Sequence, residues 1–149
     1  MSEHLTSIGL DVGTSTTQLV VSRLTIENRA SGFSVPDMDI TRREIRYKSP
    51  VYFTPLKSEA LVDGDGIRRI VEAEYRTAGI RREDIDTGAV IITGETSRKE
   101  NARQVLTALS GFAGDFVVFN FIGGKKHRIA ACLLQGIAGE GVVVAGDDQ

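Results

Sequence analysis

The feature that most constrains this chain is a polar, glycine-containing turn between two apolar segments near the N-terminus. Residues 8–12 are apolar apart from Gly9 and Asp11, and residues 18–21 resume the apolar pattern. The turn between them reads Gly13-Thr14-Ser15-Thr16-Thr17. Two apolar strands joined by such a turn predict a β-hairpin, because glycine and short hydroxyl residues are favoured where a chain reverses.

The residue types in this turn suit a phosphate ligand. Gly13 can take positive φ, which lets the backbone turn tightly and approach an anion closely. The N–H groups of Gly13, Thr14 and Ser15 and the hydroxyls of Thr14, Ser15 and Thr16 are donors for phosphate oxygens. Asp11, at the strand end, is placed to hold a hydrated Mg²⁺. The sequence therefore predicts half of a nucleotide site, and the alternative is an ordinary hairpin with a polar turn.

Other phosphate-binding motifs fit this segment less well. A dinucleotide fingerprint requires the spacing G-x-G-x-x-G before a helix, whereas Gly9 and Gly13 are four apart and β-branched residues follow. A Walker loop requires Gly-Lys-Ser/Thr, and no lysine lies near the turn. The pattern instead resembles the first phosphate loop of the actin, Hsp70 and sugar-kinase superfamily.

Composition narrows the class of protein further. The 149 residues suffice for one domain with a real core, and 18 Lys+Arg against 20 Asp+Glu give no basic excess for binding nucleic acid. The single cysteine, Cys132, excludes an internal disulfide, which agrees with a reducing compartment. We expect its side chain to be buried in the protein. No signal peptide or membrane-length apolar run is visible, so we expect a cytoplasmic protein without membrane contact.

The hydrophobic pattern predicts an α/β fold with a mixed sheet, an N-terminal hairpin and flanking helices. Predicted strands cover residues 6–12, 18–24, 49–55, 87–93 and 115–119, and predicted helices cover 67–78 and 101–109. Residues 25–39 are expected to form an irregular connection. Over residues 39–47, the apolar Ile40, Ile45 and Tyr47 alternate with charged residues, which predicts a strand with one face toward solvent. This order is expected of one lobe of an actin-like (ribonuclease H-like) ATPase fold.

Five further segments resemble the family of ethanolamine ammonia-lyase reactivating factors. The resemblance covers about residues 6–118 in order, and beyond the turn it rests on Arg43-Glu44-Ile45, Ser49-Pro50-Val51-Tyr52-Phe53-Thr54-Pro55, Ala89-Val90-Ile91-Ile92-Thr93-Gly94-Glu95, Asn101-Ala102-Arg103 and Gly114-Asp115-Phe116-Val117-Val118. It implies a chaperone-like factor that uses ATP and Mg²⁺ to release damaged cobalamin from its partner, ethanolamine ammonia-lyase. It also implies that Asp11, Gly13, Thr14 and Ser15 contact Mg²⁺ and phosphate.

The segment after the buried strand at residues 87–93 is a second candidate. Gly94 follows at the strand end, where open α/β sheets hold ligands, so we predict that it contributes to the cofactor site. The alternative is structural: Gly94 turns the chain, and Thr96 or Ser97 caps the following helix.

The chain also departs from the family pattern. Members run to several hundred residues and carry a second phosphate hairpin and an adenosine pocket, which we do not find here. Residues 119–149 show no resemblance, and we predict a boundary at residue 118 followed by a tail produced by truncation, a frame shift or a natural short form. In that tail we expect helical turns over 129–134, a short strand over 142–144 and a solvated basic run over 125–128.

The sequence leaves three functional hypotheses. The first is the N-terminal lobe of the reactivating factor, with ATPase activity expected of the full-length protein rather than of this chain alone. The second is a lobe of a small-molecule, sugar-type kinase of the same superfamily. The third is a non-catalytic interaction domain that has kept the scaffold and lost the nucleotide.

Overall fold

A computed structural model of the chain describes residues 2–32, 35, 37–110 and 115–120. The described residues form one mixed sheet, two α-helices and two short 3₁₀ helices. The strands are β1 Ser2–Val12, β2 Thr16–Asn28, β3 Met38–Lys48, β4 Tyr52–Phe53, β5 Thr87–Ile92 and β6 Asp115–Asn120. The α-helices are α1 Gly64–Ala78 and α2 Ala102–Ser110, and the 3₁₀ helices are Arg82–Asp84 and Gly94–Arg98. This confirms the predicted α/β class with an N-terminal hairpin and flanking helices.

The order of strands places the two candidate loops side by side. The main path runs β3-β2-β1-β5-β6, and β4 pairs separately with the start of β2. Strands β1, β5 and β6 are parallel, whereas β2 is antiparallel to β1 and to β3. Val12 is in register with Ile92, so β1 and β5 end at the same edge of the sheet. The turn after β1 and the loop after β5 therefore leave the sheet together.

The N-terminal hairpin is longer than the sequence predicted. Its pairing runs from Val12 with Thr17 to Ser2 with Glu27, so both strands extend well beyond residues 6–12 and 18–24. The expected irregular connection over residues 25–39 shrinks accordingly, because β2 continues to Asn28 and β3 begins at Met38. Cross-strand pairing stabilises the polar ends of these strands, and this effect is invisible in single-segment hydropathy.

The apolar residues of β3 do not share one face, although the alternation grouped Ile40, Ile45 and Tyr47 together, and Arg42, Glu44 and Arg46 are exposed as predicted. The register between β2 and β3 shifts twice, and at one shift Tyr47 pairs with Val21 while Ile45 pairs with Ser22. The extra residue in β3 at this shift places the side chains of Ile45 and Tyr47 on opposite faces of the sheet. Tyr47 packs against the main core, whereas Ile45 is 48% exposed.

Helix α1 begins three residues earlier than residue 67, where the apolar pattern starts. The side chain of Asp63 accepts a hydrogen bond from the Gly66 N–H at 3.0 Å and caps the helix, so residues 64–66 belong to the first helical turn. The helix ends as predicted at Gly79, which has φ of 69°. Its expected apolar face is buried at Ile67 and Val71.

Both α-helices bury their apolar sides against one face of the sheet. This core contains side chains from β1, β2, β5, α1 and α2, with little or no exposure, among them Ile8, Leu10, Val12, Leu19, Val21, Ile67, Val71, Val90, Ile92, Val105, Leu106 and Leu109. Burying a side chain of this size contributes about 1.5–3 kcal/mol. The rigid layer under the C-terminal ends of β1 and β5 supports the two loops.

The later elements follow the predictions. Strand β5, helix α2 and strand β6 each lie within one residue of the expected bounds at both ends. The predictions for Cys132, the basic run over 125–128 and the tail elements fall outside the described residues. Of the helices that the structure describes, none is long and apolar enough to cross a membrane.

Candidate phosphate-binding site

The turn between β1 and β2 is closed by a backbone hydrogen bond. The N–H of Gly13 donates to the carbonyl oxygen of Thr16 at 2.9 Å, and the side chains of Thr14, Ser15 and Thr16 are exposed. Gly13 does not use the positive φ that glycine allows, since the described glycines with positive φ are Gly32, Gly79 and Gly94. Space constrains Gly13 instead, because an added Cβ would lie 3.1 Å from the Thr16 carbonyl oxygen.

The set of free donors is smaller than the sequence suggested. The Gly13 N–H is used inside the turn, and the hydroxyl oxygen of Thr14 accepts a hydrogen bond from the Glu95 N–H at 3.0 Å. In the described part of the chain, no group accepts a hydrogen bond from the N–H of Thr14 or Ser15, or from the hydroxyls of Ser15 and Thr16. The turn thus presents two adjacent amides and two hydroxyls to a ligand.

Asp11 lies beside this turn, one residue before the end of β1. Its backbone is in register with Gln18 on β2 and Ile91 on β5, so strands flank it on both sides. The Oδ1 atom is buried, and within the described residues it has no hydrogen-bond partner. Burial raises the pKa of the Asp11 carboxyl above its ordinary value of 3.8. A buried oxygen without a partner is costly, and a bound hydrated ion would satisfy it.

The surroundings of Asp11 fit a hydrated Mg²⁺. This ion keeps several waters and is held in proteins through one or two carboxylates together with substrate phosphates. Within the described residues there is no group of three or more His, Cys, Asp or Glu side chains that would hold a metal without such help. Asp11 would contact the ion through water, and the free donors of Thr14, Ser15 and Thr16 would contact the phosphate.

The loop after β5 packs directly onto the turn. Its pairing with β1 continues through the Thr93 N–H, which donates to the Val12 carbonyl at 3.0 Å. Gly94 has φ of 62°, and an added Cβ there would overlap the Oγ1 atom of Thr14. The structure thus brings Gly94 to the predicted site, where it supports Thr14. Direct contact between Gly94 and a ligand stays a prediction.

Two threonines that sequence reasoning did not assign to the site hold the turn from below. The hydroxyls of Thr54 and Thr96 both donate to the Gly13 carbonyl, at 2.8 and 3.0 Å. The Thr54 N–H also donates to the Ser15 carbonyl at 2.9 Å. Segments 41 and 83 residues away from Gly13 therefore fix the backbone of the turn. The sequence pattern carried no signal for Thr54, which lay inside the predicted strand over 49–55, and for Thr96 it indicated only a position in the loop after a buried strand.

The alternative role for Thr96 and Ser97 as helix caps is wrong. Helix α2 begins at Ala102, and residues 94–98 form their own 3₁₀ helix. The Ser97 hydroxyl donates to the Gly94 carbonyl at 2.6 Å, and the Thr96 hydroxyl is directed at the turn. The Ser97 hydroxyl therefore stabilises the loop after β5 from within, whereas the Thr96 hydroxyl connects that loop to the turn after β1.

Comparisons with solved structures show distant likenesses. A crystal structure of the Aquifex aeolicus member of the Ppx/GppA family aligns with 78% of this chain and 36% of its own length, at 11% identity and a TM-score of 0.48. An exopolyphosphatase-like protein aligns with 78% of this chain and 33% of its own length, at 19% identity and a TM-score of 0.42.

Sequence relatives are much more similar. The proteins named "Ethanolamine ammonia-lyase reactivase EutA" from Salmonella typhimurium strain LT2 and Escherichia coli strain K12 are each 43% identical to this chain over 117 residues. The match covers 78% of this chain and 25% of each relative, so the chain spans about a quarter of their length.

The family profile described as "Ethanolamine utilisation protein EutA" matches residues 3–131. The match extends past residue 118, where the sequence predicted a domain boundary, and that boundary stays a prediction. The profile covers most of the chain and includes both loops of the candidate site. This confirms the resemblance found in the sequence, and the chain belongs to the ethanolamine utilisation protein EutA family.

Proposed function

We propose that this chain is the N-terminal, phosphate-binding lobe of an ATP-dependent reactivating factor for ethanolamine ammonia-lyase, which releases damaged cobalamin from that enzyme. Family membership supports the reactivating role, since relatives 43% identical are named reactivases of that enzyme. The observation that carries the nucleotide part of the proposal concerns Asp11 and the turn after it: among the described residues, neither the buried Oδ1 of Asp11 nor the amides of Thr14 and Ser15 have a hydrogen-bond partner.

The chemistry assigned to this lobe is binding and orientation. The amides of Thr14 and Ser15 would orient a phosphate group, and Asp11 would hold the hydration shell of Mg²⁺. Mg²⁺ when bound neutralises charge on the phosphate oxygens. Within an actin-like protein, hydrolysis also requires residues of the second lobe, and closure of the two lobes couples the nucleotide to movement.

A chimera tests this proposal. The matched quarter of the Escherichia coli reactivase is replaced by the corresponding residues of this chain, and recovery of inactivated ethanolamine ammonia-lyase is measured with Mg²⁺, ATP and adenosylcobalamin. We expect the chimera to restore activity, and we expect the same chimera carrying Asp11→Asn to fail although it folds and expresses equally. A folded chimera that restores nothing, or an Asp11→Asn chimera that restores activity fully, would contradict the proposal.

A further inference from the structure

A buried carboxylate on α1 accepts hydrogen bonds from tyrosines on two strands, β3 and β4. Glu74 is 3% exposed, and its Oε2 atom accepts a hydrogen bond from the Tyr47 hydroxyl at 2.5 Å. Its Oε1 atom accepts from the Tyr52 hydroxyl. Burying a carboxylate costs several kcal/mol unless donors compensate it, so this cluster has to be satisfied for the protein to fold.

The two phenols remain protonated donors. Hydrogen bonding to the Glu74 carboxylate raises the pKa of Tyr47 to about 12, and the same hydrogen bond raises the pKa of Tyr52. Hydrogen bonds from a phenol to a carboxylate are short and about twice as strong as neutral ones. The cluster is therefore a firm connection between α1 and the strands that carry the tyrosines.

The Tyr52 side chain connects β4 to α1 through its hydrogen bond to Glu74. Strand β4 has two residues, and the other, Phe53, is 88% exposed. The preceding segment is tied to β2 separately, because the Ser49 N–H donates to the Leu19 carbonyl and the Ser49 hydroxyl accepts from the Leu19 N–H. Beyond Pro50, the backbone of β4 pairs with β2, the Tyr52 hydroxyl bonds to Glu74 in the middle of α1, and the Pro55 carbonyl accepts from the Asp63 N–H at the start of α1.

Two residues after Tyr52, the chain reaches the candidate site. Thr54 donates through its N–H to the Ser15 carbonyl and through its hydroxyl to the Gly13 carbonyl. A threonine hydroxyl has one hydrogen, so in its 3.0 Å contact with the Thr17 hydroxyl Thr54 is the acceptor. Thr54 therefore fixes the backbone on both sides of Thr14, through the Gly13 carbonyl before it and the Ser15 carbonyl after it.

We infer that Glu74 and Tyr52 are positioning residues for the phosphate-binding turn and act on it through β4 and Thr54. This inference rests on the proposed function only for the identity of the ligand. Tyr47 bonds to the same carboxylate from β3, which does not reach the turn, so its contribution is to stability alone. The two tyrosines thus form a matched pair in which only one is connected to the site.

Amide hydrogen exchange of the full chain tests the inference without any ligand. Tyr52→Phe and Tyr47→Phe each remove one hydroxyl from Glu74, so we expect similar losses of melting temperature. In Tyr52→Phe, the Gly13 and Thr54 amides should exchange about tenfold faster, the effect of losing a hydrogen bond to a charged group. In Tyr47→Phe, they should stay within about twofold of the wild type after correction for global stability.

A second readout is binding of inorganic tripolyphosphate with Mg²⁺, followed at the same amides. We expect Tyr52→Phe and Thr54→Val to weaken binding about tenfold, Thr54→Ser to restore it, and Tyr47→Phe to leave it unchanged. Equal acceleration of exchange in both tyrosine variants, or none in Tyr52→Phe, would overturn the inference. If exchange behaves as expected and tripolyphosphate does not bind the wild type, the proposed function fails and the positioning of the turn by Glu74 and Tyr52 stands.

Discussion

At the scale of single residues, Asp11 carries a cost to stability that the candidate site explains, and Gly94 holds a conformation that suits glycine alone. The Oδ1 atom of Asp11 is buried and unpartnered among the described residues, and Gly94 has a φ of 62°, which glycine adopts without strain. A ligand at the site would satisfy the buried oxygen, since buried polar atoms in native proteins are normally hydrogen-bonded. Each leads to a test by substitution.

Replacing the charge at Asp11 should stabilise the protein while abolishing Mg²⁺-dependent phosphate binding. Burial raises the pKa of Asp11 in the folded state above 3.8, so the folded protein holds this proton more tightly than the unfolded chain. The contribution of the protonated Asp11 to the free energy of unfolding is present below pH 3.8 and is lost as pH rises through the raised pKa. At neutral pH, we expect the free energy of unfolding of Asp11→Asn to exceed that of the wild type by about 1 kcal/mol.

The measurement is the melting temperature of both proteins from about pH 4 to neutral pH, with and without Mg²⁺. The advantage of Asp11→Asn should grow with pH and shrink when Mg²⁺ and tripolyphosphate stabilise the wild type. A constant difference across this range would show that Asp11 is not the group responsible.

Substituting Gly94 should disturb the turn as well as the local backbone. Alanine at a positive φ costs roughly 1 kcal/mol, and at Gly94 its Cβ would also overlap the Thr14 hydroxyl. Gly79 is the matched control, because it has φ of 69° and open space around the added Cβ. We expect Gly94→Ala to lose clearly more stability than Gly79→Ala and to shift the Thr14 and Ser15 amide resonances. Equal losses with unshifted resonances would argue against close packing of the two loops.

At the scale of elements, segments with one dominant period could be predicted and contacts between segments could not. The apolar run of β5 and the helical period of α2 fix those elements almost to the residue. The bulges in β3 depend on pairing with β2, and the 3₁₀ helix at Gly94–Arg98 depends on packing against the turn. For the same reason Asp11 was found by its position after an apolar run, whereas Thr54 required the fold.

One such contact between elements gives a prediction. The Asn101 side chain donates to the Val62 carbonyl at 2.9 Å and accepts from the Val62 N–H at 2.8 Å, and Val62 is fully buried. Asn101→Ala leaves both backbone groups without partners, so we expect a loss of about 2 kcal/mol. Asn28 also accepts two backbone hydrogen bonds, from Ala30 and Asp37, but in an exposed loop where water replaces them.

Urea unfolding of Asn101→Ala and Asn28→Ala measures the difference. The midpoint should fall markedly in the first variant, and Asn28→Ala should lose less than about 0.5 kcal/mol. Similar losses in the two variants would mean that burial of the Val62 backbone does not determine how much stability is lost.

At the scale of the whole molecule, the chain corresponds to about a quarter of its curated relatives. The proposed site closes on its nucleotide from two lobes, and the described residues contain one candidate phosphate-binding turn. We therefore expect Mg²⁺·ATP to bind this chain with a dissociation constant above about 1 μM, which corresponds to less than about 8 kcal/mol of binding free energy. Calorimetric titration measures this directly, and tighter binding would show that one lobe suffices.

The most direct test of the central claim is an NMR titration of the chain with Mg²⁺·ATP, read at the backbone amides. If the turn is a phosphate site, the Thr14 and Ser15 resonances shift first and saturate, the shifts require Mg²⁺, and Asp11→Asn abolishes them. Gly13 and Thr54 should move less, because their amides are already hydrogen-bonded within the protein. Saturating shifts elsewhere with Thr14 and Ser15 unmoved, or an unchanged response in Asp11→Asn, would contradict the account.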